Sequence, residues 1–577
     1  MIAHRFLQAL LRDAVTSRLP GSSHSELLIL PCPDSKFGDY QTSSLIAFAK
    51  NAKLNPRDLA AKVAVETCWP DWIEKVEVAG PGFLNFRLAA PRLGSLIREA
   101  LSEGLFCERL SAPKTVVLDF SSPNVAKPMH VGHIRSTILG DSLARIFRFL
   151  GHTVIADNHI GDWGTQFGKL LVGWKQRLNR EALLADPIGE MERLYREVNR
   201  ACETSPVVLE EARAELVKLQ NGDTENLKIW KEMIDLSRVQ FDTIYNRLGI
   251  RFDETLGEGF YNSELKSVVA SLCAAGIAKE SEGALVVFFE SLPQLTAHPS
   301  IVQKSDGAAN YMTTDLATLE YRAKRWRPTE VIYVTDSRQQ LHFQQLFATY
   351  RRWRPGPTMQ LRHVWFGTIL GEDGKPFRTR SGDVIKLADL LDEAEARALI
   401  TVTEKNPEFP EAERREIARI VGLGAIKYAD LLPNRQSDYV FSWDKMLALN
   451  GNTAPYLQYA CARISSLVRK SGEDAQRTFD PAALPEMNLT AQEEINLAKQ
   501  LMNFGLVLET VAEEARPNFL CNYLYNLAGH FTQFYESCPV LKSEGAVRES
   551  RLALCRLTGR VLGQGLNLLG IETAERM

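Results

Sequence analysis

The stretch from residue 115 to residue 157 constrains the fold most strongly. A β-branched apolar run, TVVLDF (115–120), is followed by a loop with two prolines and by a helical pattern that Gly151 ends. A second β-branched run, TVIAD (153–157), comes directly afterwards. Strand, helix and strand in such close succession form a βαβ unit, whose strands are parallel. The sequence therefore predicts a parallel α/β sheet, here placed in a domain over residues 111–390.

The segments around this unit have different patterns. Residues 1–110 begin with an amphipathic helix and contain two alternating runs around Gly80-Pro81-Gly82, which predicts a small α+β domain. Charged helical sequence over 175–240 predicts a helical insertion, placed at about 175–280, and strand signals resume at 283–290 and 330–336. The chain is then helical almost to its end, which predicts a linking helical region (391–450) and an all-α bundle (451–577).

Composition excludes several classes of protein. A hydrophobic fraction of 45% and a charged fraction of 24% are typical of a globular chain. The net charge of -3 argues against a uniformly basic nucleic-acid coat but allows a basic patch. The sequence contains no uninterrupted run of about 18 apolar residues, so we expect no membrane span. Nine scattered cysteines without a CxxC pair indicate reduced thiols, a cytoplasmic location and no zinc site.

The motif His130-Val131-Gly132-His133 lies between the first strand and the helix of the βαβ unit. A helix N-terminus favours phosphate, because its N–H groups are unpaired and its dipole end is positive. Two imidazoles can donate hydrogen bonds to phosphate oxygens, and Gly132 leaves room for a purine or ribose. The alternative is a first turn that carries two surface histidines. The strand before the motif and the helix after it favour nucleotide binding.

Five further motifs occur in order along the chain: DFSSPNVAKPM (119–129), NHIGDWGTQFG (158–168), YMTTD (311–315), DSRQQLH (336–342) and HVWFG (363–367). With HVGH, this set resembles the arginyl-tRNA synthetase family of class I aminoacyl-tRNA synthetases, in its bacterial type. The similarity extends from GDYQ near residue 40 to the closing GIETAERM. The resemblance implies a Rossmann-like catalytic domain with a helical insertion, an N-terminal tRNA-binding domain and a C-terminal anticodon-binding bundle.

The resemblance also implies roles for individual residues. It assigns ATP binding to the signature and to a segment on the adenine side, namely His130, Gly132, His133, His363, Phe366 and Gly367. It assigns arginine recognition to Asp119, Asn124, His130, Tyr311, Asp315 and Gln339. The assignment is chemically sensible, because carboxylates grip a planar guanidinium through charge-assisted hydrogen bonds. Two alternatives stay open: Asp315 as a helix N-cap, and 364–366 as a buried strand.

A second signature of the class is degenerate in this chain. Class I synthetases usually carry a KMSKS loop, and the corresponding stretch here is GKPFRTRSG (374–382). Its usual catalytic lysine falls on Thr379 or Arg380. The resemblance implies that Lys127 replaces it, joining His130 and His133 as catalytic residues, since a triphosphate needs a cation. Which of Lys127, Arg378 and Arg380 replaces the signature lysine stays open. The alternative for Lys127 is a solvated lysine in a loop, without a catalytic role.

The activity implied is the two-step attachment of L-arginine to tRNA(Arg). ATP is a substrate, with Mg²⁺ on its phosphates and no tightly held protein metal, and arginyl-adenylate is the intermediate. The partners expected are tRNA(Arg), arginine and ATP, without a membrane, for a cytoplasmic monomer. Phe83 and Asn85 alternate on the strand after the Gly-Pro-Gly turn and suit the reading of a splayed tRNA base. The alternative for Phe83 is the core of the small domain.

Three other functions compete with this one. Another class I synthetase, such as a glutamyl or lysyl enzyme, would keep the fold, but two acidic residues in the substrate motifs favour a cation over glutamate. A small-molecule nucleotidyltransferase could use the HVGH motif but would leave the helical C-terminal half unexplained. A catalytically inactive tRNA-binding relative is suggested by the missing signature lysine.

Overall fold

The computed structural model describes residues 3–19, 27–34, 36–108, 112–356, 359–378, 384–472, 487 and 489–577. The chain divides into two compact units. The terminal unit comprises Met1–Arg109, Ala448–Leu568 and Glu572–Met577, and the central unit comprises Leu110–Leu447 with Leu569–Ile571. The chain therefore passes from one unit to the other more than once.

The N-terminal part of the terminal unit is an α+β fold, as predicted. Its elements are α1 (Ala3–Arg18), β1 (Leu30–Pro31), β2 (Tyr40–Thr42), α2 (Ser44–Asn51), α3 (Pro56–Glu66), β3 (Ile73–Ala79), β4 (Phe83–Leu88) and α4 (Ala90–Glu103). The four strands form an antiparallel sheet in the order β1-β2-β4-β3. Gly80 and Gly82, with φ of 49° and 134°, form the turn between β3 and β4, where positive φ favours glycine.

The central unit begins with the predicted βαβ unit and the helical insertion. These elements are β5 (Thr115–Asp119), α5 (Val131–Phe149), β6 (Thr153–Asp157), α6 (Gln166–Arg177), α7 (Arg180–Ala185), α8 (Pro187–Thr204), α9 (Pro206–Gln220) and α10 (Thr224–Arg247). The next elements are a 3₁₀ helix (Glu258–Glu264), α11 (Leu265–Ala274), β7 (Ala278–Ser281), β8 (Ala284–Val287) and β9 (Ser300–Gln303).

The unit then returns to its parallel sheet. Its remaining elements are α12 (Tyr311–Trp326), β10 (Glu330–Asp336), a 3₁₀ turn (Ser337–Gln339), α13 (Gln340–Trp353), β11 (Gln360–Phe366), β12 (Ile369–Leu370), α14 (Leu387–Lys405), α15 (Glu411–Leu431), β13 (Tyr439–Val440) and α16 (Trp443–Met446). The main sheet has the order β11-β10-β5-β6 with every pair parallel. Residues such as Val117, Leu118 and Val334 are fully buried, which explains the continuous apolar runs of these strands.

The strand signal at residues 283–290 is confirmed, but this strand does not belong to the parallel sheet. The strand there is β8, and it pairs antiparallel with β7 and β9 in a separate three-stranded sheet. The reason is local: Glu282 and Gly283 have φ of 52° and 77°, and a two-residue turn with two positive φ values joins neighbouring strands as a hairpin. The parallel sheet resumes only at β10.

The helical C-terminal half is also observed, with one difference. Helix α14 runs across the predicted boundary at residue 390, and residues up to Leu447 cluster with the central unit. The bundle of the terminal unit contains α17 (Ala454–Lys470), α18 (Gln492–Met502), α19 (Phe504–Glu514), α20 (Asn518–Ser537) and α21 (Gly545–Leu568). No helix in the described ranges is long and apolar enough to cross a membrane, and all nine cysteines are unpaired in the structure.

Candidate functional site

The HVGH motif forms the N-terminal turn of α5. His130 is the N-cap, and its Nδ1 accepts a hydrogen bond from the backbone N–H of Gly132 at 3.0 Å. Nδ1 of His133 accepts from the backbone N–H of His130 at 3.1 Å, and the two ring centroids lie 4.0 Å apart. A Cβ added to Gly132 would lie 2.8 Å from the His130 ring, so a larger residue at this position would have to displace that ring.

These contacts fix the protonation of both histidines. Burial, and then the positive charge of Lys127, lower the pKa of His130. Burial and the charge of His130 lower the pKa of His133 to about 3. Both rings are therefore neutral near pH 7, and because each Nδ1 accepts a backbone hydrogen bond, each Nε2 carries the proton. The signature thus holds two Nε2–H donors.

The loop between β5 and α5 has a strained backbone. Ser121, Ser122 and Ala126 have φ of 73°, 48° and 61°, a region that non-glycine residues rarely adopt. The backbone N–H of Ser121 donates to Ser136 Oγ at 2.9 Å, and Ser121 Oγ lies 2.8 Å from Tyr245 Oη on α10. This packing presents Asn124 and Lys127 to solvent beside the signature.

The GDWG stretch borders the same loop. Gly161 forms a parallel bridge with Asn124, and a Cβ added to Gly161 would lie 2.3 Å from Asn124 Oδ1. The next residue, Asp162, accepts a hydrogen bond from the backbone N–H of Gly259 at 2.7 Å. GDWG therefore links the Asn124 loop to the residues around Glu258.

Glu258, which the sequence did not single out, lies in an acidic pocket with Asp162 and Asp315. Burial raises the pKa of Glu258 to about 8, and the negative charges of Asp315 and Asp162 add to this rise. Tyr311 lies near enough that Glu258 contributes to raising its phenol pKa, after burial, and this tyrosine is 68% exposed. The negative charges of Asp162 and Asp315 therefore disfavour ionisation of Glu258, and a cation bound beside these carboxyl groups would favour it.

Asp315 lies inside helix α12, so the alternative that it is an N-cap is wrong. The N-cap is Asn310, and the helix begins at Tyr311. Asp315 Oδ2 is 2.6 Å from Nε2 of His342 on α13. Burial favours the neutral imidazole, but the hydrogen bond and charge of Asp315 outweigh it and raise the pKa of His342. His342 belongs to a motif that the sequence indicated, although no role was predicted for it.

Asp119 ends strand β5 and is paired within the protein. Its Oδ2 accepts from Nη2 of Arg322 at 2.6 Å, and its Oδ1 accepts from Ser122 Oγ at 3.1 Å. Asp157, at the end of β6, also accepts from Arg322 Nη2, at 2.7 Å. Arg322 and Asp157 are fully buried and Asp119 is 4% exposed, so one guanidinium joins the ends of two parallel strands. Gln339 is exposed at the end of β10, at the same edge of the sheet.

The segment predicted on the adenine side combines partly buried and buried residues. Nε2 of His363 is 2.8 Å from Thr335 Oγ1, and burial lowers the pKa of His363 to about 4, with the charges of Arg435 and His342 contributing. Phe366 is 3% exposed and faces Arg135, and Val364 is fully buried, so the buried-strand interpretation is confirmed for these two. A Cβ on Gly367 would lie 2.6 Å from Asp438 Oδ1.

The degenerate second signature is described only in part. Gly371, Gly374 and Phe377 form a tight turn, in which the N–H of Phe377 donates to Ile369 O at 3.0 Å. Arg378 follows this turn and is exposed, whereas Arg380 and Thr379 lie outside the described residues. The N–H of Val131 donates to Ile385 O at 3.0 Å, so the described residues that follow this stretch contact the HVGH turn.

The predicted tRNA-reading residues lie on β4 of the terminal unit. Phe83 is partly buried, and Asn85 is only 5% exposed, with no hydrogen-bond partner for its Oδ1. Asn85 pairs with Gln41 and Glu77 on the neighbouring strands. The sheet therefore presents Phe83 to solvent more readily than Asn85.

Three family models match successive parts of the chain. One described as "tRNA synthetases class I (R), catalytic domain" matches residues 96–443, and "DALR anticodon binding domain" matches 457–577. "Arginyl tRNA synthetase N terminal domain" matches residues 5–88. The catalytic model contains the HVGH turn and the acidic pocket, and it favours arginine over the amino acids of the competing synthetases.

Individual proteins agree with these models. The chain is 44% identical to the arginine–tRNA ligase of Hahella chejuensis over 99% of this chain and 100% of that one, and 44% identical to the ligase of Laribacter hongkongensis with the same coverage. The arginyl-tRNA synthetase structure from Thermus thermophilus superimposes with a TM-score of 0.84 at 27% identity over 100% of both chains. The structure from Plasmodium falciparum also gives 0.84, at 28% identity over 100% of this chain and 99% of that one. The chain belongs to the arginyl-tRNA synthetase family, the class I ligases that charge tRNA with arginine.

Proposed function

We propose that the HVGH turn and the acidic pocket together form the site where this synthetase activates L-arginine with ATP. A carboxylate oxygen of arginine attacks the α-phosphorus, the bond from that phosphorus to the bridging oxygen breaks, and pyrophosphate leaves with the electron pair. The 2′-hydroxyl oxygen of the terminal tRNA(Arg) adenosine then attacks the carbonyl carbon, AMP leaves and the hydroxyl proton is released. The residues act by positioning and charge stabilisation.

The acidic pocket supports the guanidinium end of this proposal. The charges of Asp315 and Asp162 disfavour ionisation of Glu258, and a cation placed among the three carboxyl groups offsets that effect. A guanidinium has five N–H donors in one plane and suits several carboxylates and the Tyr311 hydroxyl better than an ammonium does. Glu258 thereby joins Tyr311 and Asp315 as a proposed arginine-binding residue.

The other end of arginine is assigned to the loop and sheet edge. Asn124 and Gln339 are exposed there and have the donors and acceptors that an α-amino acid needs. Asp119 meets the α-amino group only through Oδ1, since Oδ2 is bound by Arg322. His130 lies between this loop and the phosphates and contacts both substrates.

For ATP, the two Nε2–H groups of His130 and His133 donate to phosphate oxygens, and neutral donors keep their role as charge develops. Lys127 supplies the cation for the leaving pyrophosphate, helped by Arg378 and Arg380 from the second signature. His363, Gly132 and Gly367 border the nucleoside, and Phe366 supports this segment from the buried side. Mg²⁺ enters with ATP as part of the substrate, bound to phosphate oxygens.

We assign the binding of tRNA(Arg) to the terminal unit. Its helical bundle would bind the anticodon arm and its small N-terminal domain a tRNA loop, with Phe83 stacking on a base and Asn85 beneath it. Domain limits near residues 110, 390 and 450 remain part of this proposal. We place the enzyme in the cytoplasm, as a monomer.

Amino-acid-dependent exchange of pyrophosphate into ATP, measured with and without tRNA(Arg), tests the proposal. Arginine alone among the common amino acids should support exchange, and Asp315→Asn should raise the KM for arginine far more than that for ATP. The matched control is Glu264→Gln, which should behave like the wild type. Glu264 is an exposed carboxylate on the same 3₁₀ helix as Glu258. Activation of lysine but not of arginine would overturn the assignment, and an absence of charging would favour an inactive relative.

A further inference from the structure

Lys127 contacts an aromatic ring of the helical insertion. Its Nζ lies 5.2 Å from the centroid of Tyr195 on α8, within the range of a cation–π contact. In the ranges that the structure describes, no carboxylate lies within ion-pair distance of Lys127. The ammonium group is therefore held by a neutral partner, which does not cancel its charge.

The insertion also holds the backbone next to this lysine. The N–H of Ala126 donates at 3.0 Å to Oγ of Ser237, which is fully buried on α10. Ala126 has a φ of 61°, so the chain turns sharply just before Lys127. On the other side, Lys127 is near enough to His130 to lower that ring's pKa. The ammonium therefore lies between the insertion and the HVGH turn.

A second lysine shares the Tyr195 ring but is held differently. Lys169 Nζ lies 5.9 Å from the ring centroid and donates to Asn199 Oδ1 at 2.6 Å. Lys127 has no such hydrogen bond among the described residues. Of the two ammonium groups on the ring, Lys127 therefore keeps its N–H donors available for a phosphate while it stays on the ring.

We propose that Tyr195 is a positioning residue for Lys127. Its ring keeps the ammonium beside the HVGH turn, and the inserted helix α8 thereby contributes to arginine activation. The inference rests on the proposed function, in which Lys127 stabilises the leaving pyrophosphate. Because that charge develops in the transition state, losing the ring should lower kcat rather than raise the KM for arginine.

The test compares Tyr195→Leu, which removes the ring, with Tyr195→Phe, which keeps it. In arginine-dependent pyrophosphate exchange with saturating tRNA(Arg), Tyr195→Leu should lower kcat about three- to tenfold, the size of one cation–π contact. Tyr195→Phe should stay within about twofold of the wild type. Lys169→Met removes the other cation from the ring and should leave exchange unchanged. A wild-type rate for Tyr195→Leu would overturn the inference.

A double-mutant cycle with Lys127→Met separates positioning from a general structural role. If Tyr195 acts through Lys127, Tyr195→Leu should have no further effect on kcat in the Lys127→Met background. Equal slowing in both backgrounds would overturn the inference while leaving the role of Lys127 intact. Wild-type exchange by Lys127→Met would overturn that role and the inference with it, while arginine dependence of exchange would still stand.

Discussion

Nε2 of His342 on α13 lies 2.6 Å from Oδ2 of Asp315 on α12, and this pair supports one wall of the acidic pocket. A histidine cation there partly neutralises Asp315 and fixes its orientation. The pair is only partly exposed, at 28% for the histidine side chain and 20% for the aspartate. Its contribution to stability should therefore depend on pH in a definite direction.

The pKa of His342 is raised in the folded protein, so the pair stabilises fully below the ordinary histidine pKa of about 6.5 and less as pH rises through the folded pKa. His342→Ala should lower the free energy of unfolding by about 2 kcal/mol at pH 6 and by clearly less at pH 9. Urea unfolding at both pH values measures the difference. In an Asp315→Asn background, the effect of His342→Ala should no longer depend on pH. If the pH dependence persisted, it would arise from a partner of His342 other than Asp315.

Glu258 should destabilise the substrate-free enzyme and help to bind arginine. The folded pKa of about 8 lies above the ordinary value of about 4.3, so ionised Glu258 costs stability that grows as pH rises between these values. Glu258→Gln should stabilise the protein by about 2 kcal/mol at pH 8 and not at pH 4.5. The same variant should raise the KM for arginine by at least about tenfold.

Thermal unfolding and exchange kinetics on one preparation check both expectations for Glu258. Since arginine binding favours the ionised carboxyl group, the wild-type KM for arginine should fall as pH rises from 6 to 8, and Glu258→Gln should lose that trend. Glu264→Gln is the control for both measurements. A Glu258→Gln variant with the wild-type KM for arginine would show that Glu258 does not bind the substrate.

Gly161 should be needed for the placement of Asn124. A methyl group at Gly161 would lie 2.3 Å from Asn124 Oδ1, so Gly161→Ala must displace that side chain. The KM for arginine should rise about tenfold, as expected for losing one hydrogen bond to a charged group. Gly529→Ala on α20 has open space around the added methyl and should leave kinetics unchanged. An unaltered KM for Gly161→Ala would show that Asn124 does not hold the substrate.

Arg322 should contribute strongly to stability, because it is the cation between two buried carboxylates. Arg322→Met leaves Asp119 and Asp157 facing each other and should lower the free energy of unfolding by about 3–5 kcal/mol. Adding Asp157→Asn removes one of these charges and should recover part of the loss. Denaturant unfolding of the three proteins measures both effects; no recovery in the double variant would mean that Arg322 acts through packing alone.

The local parts of the fold could be predicted from the sequence, and the long-range pairs could not. The βαβ unit, the hairpin around Gly80-Pro81-Gly82 and the place of HVGH at a helix N-terminus follow from apolar spacing and turn residues close in the chain. The antiparallel pairing of β8 could not be predicted, because an apolar run of that length fits either kind of sheet.

The candidate site shows the same division. Its motif residues were found from their order along the chain, including Asp315 and Asn124. Glu258 was missed, since it is a lone acidic residue at the end of the insertion. Hydrogen bonds from its own N–H to Ile160 O and from Gly259 N–H to Asp162 bring its segment to GDWG, and they join residues far apart in the sequence. The pairing of Asp119 with Arg322 spans 203 residues and has no signature in local spacing.

Because the chain passes between its two units more than once, neither unit can be exchanged with that of a relative by a simple fusion. The terminal unit is made of three separate segments, and the tripeptide Leu569–Ile571 belongs to the central unit, where Gly570 accepts a hydrogen bond from the buried Lys427 ammonium. A chimera made with a relative at any single junction would therefore mix pieces of both parents within the terminal unit. Ending the chain at Leu568 would also remove the Gly570 carbonyl as one acceptor of the buried Lys427 ammonium, so neither unit of this synthetase can be exchanged as one continuous segment.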